Sequence, residues 1–141
     1  MFHHQTTLTL LGLVFFAFAG GCTTDTANPN PQNTVNAGDA AWKVTWYWDK
    51  DKDETSDFVQ YTFYFRSNGA FDASAAGVAS PGTWQIITDD GVQKLVLMTA
   101  TSKPLSSLAD KWVILESNDL RIRLMDDNPT HTEELNFERV Q

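Results

Sequence analysis

From Ala40 onward, apolar and polar side chains alternate with a period of two, the pattern of strands that bury one face and wet the other. Trp42, Val44, Trp46 and Trp48 fall on one side of a first strand, opposite Lys43, Thr45, Tyr47 and Asp49, so the tryptophan side is expected to line a core. Val59, Tyr61, Phe63 and Phe65 repeat the pattern in a second strand. Asn68-Gly69 then supplies residues that tolerate positive φ in a type I′ hairpin turn. A weaker third strand covers residues 71–75, Ser80-Pro81-Gly82 reads as a turn, and a fourth strand follows at 83–88. Asp90-Gly91 is a second hairpin signal leading into a fifth strand at 93–99. Residues 102–110 predict one short helix, with Ser102 as cap, Pro104 early, and Leu105 and Leu108 at i, i+3 to cover a barrel mouth. Three more strands close the chain at 112–116, at 120–125 with Leu120, Ile122 and Leu124 alternating with arginines, and at 134–140 with Leu135 and Phe137 on one face.

Eight antiparallel strands joined by hairpins, with one short helix, predict an all-β fold: a small up-and-down barrel, because closure removes the exposed edges of such a sheet. A two-sheet sandwich of similar strands meets the same periodicity.

The first 39 residues follow a different rule. Residues 10–19 are an unbroken apolar run of ten, shorter than the roughly 20 residues of a spanning helix and the size of a secretory signal core. Ala19-Gly20-Gly21-Cys22 follows, and resembles a bacterial lipobox, in which the cysteine receives a diacylglyceryl group before the leader is cut away. Cys22 is the only cysteine, so no intrachain disulfide is available, and acylation gives it a purpose. Two or more acyl chains, at about 0.8 kcal/mol per buried CH₂, hold a protein on a membrane where one does not. Residues 23–38, rich in Thr, Asn, Pro, Asp and Gln, predict a disordered tether. The expected organisation is a signal peptide at 1–21, a lipidated Cys22 with its tether at 22–38, and a barrel domain at 39–141. The expected location is the bacterial cell envelope, lipid-anchored in the outer membrane.

Charge narrows the partners. The chain carries 18 acidic and 10 basic side chains, a net charge of −8, and the first 21 residues contribute none of them. A nucleic-acid partner is therefore excluded as an expectation.

The barrel segment resembles the lipocalin-like domain of small Bacteroidetes lipoproteins over about residues 40–141. The resemblance rests on Trp42-Lys43-Val44, Asp53-Glu54-Thr55, Tyr61-Thr62-Phe63-Tyr64-Phe65 before Asn68-Gly69, and Gly82-Thr83-Trp84. It continues through Pro104-Leu105-Ser106-Ser107-Leu108, Lys111-Trp112-Val113 and the closing Leu135-Asn136-Phe137-Glu138-Arg139. It implies a lipocalin-like barrel on an exported lipoprotein and brings no ligand or catalytic residue with it. The Gly-x-Trp of true lipocalins lies on their first strand, where this chain has Ala40-Ala41-Trp42.

Reactive chemistry is sparse. Asp49, Asp51 and Asp53 open like a calcium loop, but Glu54 replaces the glycine and Gln60 the bidentate glutamate, so a solvated hairpin is expected and no metal site. Asp126-Asp127-Asn128 reads as a polar turn before Pro129. His131 is the only histidine outside the leader and no Gly-x-Ser-x-Gly occurs, so neither a catalytic triad nor a zinc cluster is expected. No cofactor is implied, and the chain is expected not to be an enzyme. The aromatic side chains Trp42, Trp46, Tyr61, Phe63, Trp84 and Trp112 are the candidate ligand-pocket residues, or else the filling of the barrel. The leading expectation is binding of a small hydrophobic or amphipathic molecule. The alternative is a protein or glycan interaction module that uses acidic rim loops around 49–57 and 126–132.

Overall fold

The computed structural model describes Val35 and residues 38–141. The leader, Cys22 and most of the tether lie outside the described residues. Nine strands run in chain order: β1 (Trp42–Asp49), β2 (Lys52–Asp53), β3 (Thr62–Phe65), β4 (Ala70–Ala75), β5 (Val78–Asp89), β6 (Val92–Met98), β7 (Lys111–Ser117), β8 (Arg121–Asp126) and β9 (Glu134–Arg139). Each pairs antiparallel with its neighbours, and β1 returns to pair with β9. The result is the expected barrel of eight strands, with β2 as a short addition to β1, and not a sandwich.

The expected helix is a 3₁₀ turn, Leu105–Leu108, and a second such turn covers Thr55–Phe58. Only twelve positions separate β6 from β7, and in a 3₁₀ turn side chains three apart eclipse. Leu105 and Leu108 thereby point together into the core without an α-helix.

Turn chemistry decided the hairpins, in one case against expectation. Asp90 and Gly91 both have positive φ (50° and 76°), the I′ requirement, between the paired Asp89 and Val92. At Asn68-Gly69 only the glycine does, at 86°, so this turn is not type I′; Gly69 N–H donates to Arg66 O at 3.0 Å. Ser80-Pro81-Gly82 is not a turn at all. Those residues lie within β5 opposite β4, and the reversal is made by Ala76 and Gly77, at φ 50° and 77°. Alanine is a poor signal for a left-handed position, which hid that hairpin.

The core is aromatic. Phe63, Phe65, Phe71 and Phe137 interlock with centroids 4.9–6.3 Å apart. Trp42 meets Phe65 edge-on. Trp112 is fully buried and donates its indole N–H to Leu108 O at 3.0 Å, tying the second 3₁₀ turn to the wall. Each such side chain contributes about 1.5–3 kcal/mol by burial. Val35, within the segment whose composition predicts tether, also packs into this core.

The wall has one narrow seam. β1 and β9 share six paired positions, but β1 and β3 pair only at Trp42↔Phe63. Below that pair the first 3₁₀ turn covers the free edge of β1. Tyr47 N–H donates to Thr55 Oγ1 at 2.8 Å, Glu54 N–H to Tyr47 O at 2.9 Å, and Phe58 packs edge-on against Tyr47. Lys43 Nζ bridges the seam by donating to the carbonyls of Val59 (3.2 Å) and Tyr61 (2.7 Å).

Candidate functional site

The six aromatic candidates separate into three groups. Trp42, Phe63 and Trp112 have no exposed surface and belong to the packing of the interior. Tyr61 and Trp84 are half-buried at its margin; Trp84 donates to Arg66 O at 2.9 Å and sets its ring edge-on to Phe65. Trp46 leaves the core entirely. A β-bulge between Val44 and Trp46 shifts the register, so Tyr47 points inward and Trp46 and Trp48 stack outside it, centroids 5.9 Å apart and planes 8° from parallel. Trp46 Nε1 donates to Glu134 at 3.2 Å and Trp48 Nε1 to Lys50 O at 3.1 Å. The tryptophan face expected to line the core therefore holds only for Trp42 and Val44. Val59 and Leu120 also sit outside, at 67% and 57% exposure, because each falls in a turn before its strand begins.

Two surface features remain. The first is a cleft of about 490 Å³ beside the seam, between the first 3₁₀ turn and the chain entering the second. Val59 and Pro104 give it an apolar floor; Ser56, Asp57, Gln60 and Lys103 give it polar and charged edges of both signs. Phe58, next to Val59 in chain order, is buried against Tyr47.

The second is the acidic rim where the β1–β2 turn meets the loop joining β8 to β9. Thr132 Oγ1 donates to Lys50 O at 2.7 Å and Lys50 Nζ lies 3.8 Å from Glu133. Asp53 Oδ1 accepts from Thr55 N–H at 2.9 Å, and hydrogen bonding from the Thr55 side chain, then its backbone, holds the carboxyl below the ordinary range. Asp53 thus holds the turn that leads into the first 3₁₀ segment. Lys52 and Glu54 pair, which lowers the Glu54 carboxyl and raises the Lys52 ammonium. Burial, then the charges of Asp49 and Glu133, pushes the Tyr47 phenol up; its hydroxyl donates to Ser107 O at 3.2 Å. His131 Nδ1 sits 3.0 Å from Asp126 Oδ2 and faces no serine nucleophile within hydrogen-bonding distance among the described residues. No local pattern singles out Lys103 or Glu133; only the fold brings Lys103 to Val59 and Glu133 to His131.

Comparison with known proteins finds no matching family model, no similar characterised protein and no similar solved structure.

Proposed function

We propose that this chain is a non-enzymatic lipoprotein of the bacterial envelope, anchored through Cys22 in the outer membrane, whose lipocalin-like barrel binds a small amphipathic molecule at the seam cleft. One observation carries the binding reading: a mixed polar and apolar cleft lies beside the seam where β1 and β3 pair at a single position. Ligand sites commonly occupy about 300–1,000 Å³ and pair an apolar floor with a few polar groups. Aromatic side chains occupy the interior, which favours the cleft over the lumen as the binding place.

The test is native mass spectrometry of the full chain purified from its host's membranes, beside Cys22→Ser. The expected spectrum has acyl mass that disappears with Cys22→Ser and a second, dissociable mass in both forms. Loss of neither sinks the anchor; no dissociable mass sinks the ligand.

A second reading has its own observation. The outward Trp46–Trp48 stack, beside Glu134 and the acidic turn, is the kind of flat aromatic platform on which a sugar ring or a partner's side chain rests. Undiminished capture of a glycan or protein by the Trp46→Ala variant counts against it.

A further inference from the structure

The geometry points to a divalent-metal site in the β8–β9 loop, formed by Asp126, His131 and Glu133 and suited to a first-row transition ion of the zinc type. One imidazole nitrogen and one oxygen from each carboxylate all lie within 4.8 Å of one another. Small side-chain rotations bring donors so spaced to about 2.0–2.2 Å from a common centre. The loop holds them together through its backbone: Asp126 N–H donates to Glu133 O at 3.0 Å, and His131 N–H to Asn128 O at 3.0 Å.

A separate observation says that something positive is missing there. Glu133 is only 9% exposed. Its one cationic neighbour, Lys50, stands 3.8 Å away with its own side chain 61% exposed. Asp49 Oδ1, part of the same rim, is buried without a hydrogen-bond partner, 3.9 Å from the same Lys50 ammonium. A buried carboxylate without donors is costly. A cation between Asp126 and Glu133 supplies the charge that this group of carboxylates lacks.

The donor set selects the ion. Calcium and magnesium prefer all-oxygen shells, whereas an imidazole joined to carboxylates suits zinc and its first-row neighbours. A cleft of about 290 Å³, bordered by Met125, Pro129, Thr132 and Glu134, opens beside the three donors and leaves room for water in the remaining coordination positions. His131 Nδ1 and Asp126 Oδ2 lie 3.0 Å apart; an ion held between them competes with protons for the same donors, so binding weakens as the solution is acidified.

The test is calorimetric titration of Zn²⁺ into the full chain after treatment with a chelator, beside His131→Ala and Glu133→Gln. The His131 side chain is 43% exposed, so its removal spares the fold, which circular dichroism verifies. Loss of a partner behind a ligand costs about 10–100-fold in metal affinity, so loss of a direct ligand is expected to cost at least about tenfold in each variant. Zn²⁺ is also expected to raise the unfolding midpoint of the parent chain and not that of His131→Ala. The site is disproved by any of three results: no Zn²⁺ binding, equal binding by the parent and both variants, or binding of Ca²⁺ or Mg²⁺ in preference to Zn²⁺.

Discussion

Val44 and Tyr47 both point into the barrel although three positions separate them, because the bulge after Val44 adds a residue to β1 against β9. Val44 faces Phe137 across the pair and Tyr47 faces Leu135, all four buried. Tyr47→Ala is therefore expected to cost about 3–5 kcal/mol, as other buried aromatic truncations do. Trp46→Ala, one residue away, removes an outside stack and one surface hydrogen bond and is expected to cost about 1 kcal/mol or less. Urea unfolding of the two variants checks the order; a larger loss for Trp46→Ala contradicts the register.

Gly82 sits in β5 where its two neighbours close in. A Cβ there would lie 2.2 Å from Met98 O and 3.1 Å from Phe71 O, and neither backbone can swing aside as a flexible side chain does. Gly82→Ala is expected to destabilise the barrel by about 1–3 kcal/mol through overpacking, read as a lower thermal midpoint. Gly91→Ala is the useful contrast: nothing lies within 4 Å of its added Cβ, and its cost comes only from a backbone φ of 76°.

Glu133 gives a pH dependence of unusual sign in metal-free protein. Its carboxyl is raised in the folded chain, by burial first and then by Asp49 and Asp126. Below the ordinary glutamate value of about 4.3 it is protonated in both folded and unfolded states and carries no penalty. As pH rises from there through the raised native value, the unfolded chain ionises more readily and stability is lost. Glu133→Gln escapes that loss. Its stability advantage over the parent chain, measured by urea unfolding with a chelator present, is expected to be smallest near the acid end and to grow toward a plateau at neutral pH. A difference independent of pH contradicts the buried carboxylate.

Val59 separates binding from folding. At 67% exposure on the cleft floor, Val59→Asp is expected to change stability by about 0.5 kcal/mol or less while removing the dissociable molecule from the native mass spectrum. Retention of that molecule moves the binding place elsewhere.

Alternation along the chain was enough to place all eight barrel strands, though only the later part of β5, since the period of two survives in any register. It failed where one residue is added. The bulge at Thr45 turns the later part of β1 over, and no local feature of Trp-Tyr-Trp announces it, since all three aromatic side chains suit either face. Pro81 and Gly82 misled for a related reason: both mark turns in isolation, but here the proline lies opposite Asp72 and the glycine admits a close approach. The site was less legible than the fold. Glu133 and Asp126 become partners only when the loop closes on itself, and Ser56, Val59 and Lys103 only when two 3₁₀ turns meet across the seam.

The most direct measurement is hydrogen–deuterium exchange of the full chain carrying its dissociable molecule against the same chain stripped of it. Binding at the seam predicts slower exchange at residues 55–61 and 103–105 on occupancy, with the strands of the aromatic core unchanged. Protection confined to residues 46–53 and 126–134, with 55–61 exchanging as before, contradicts the cleft and assigns recognition to the rim.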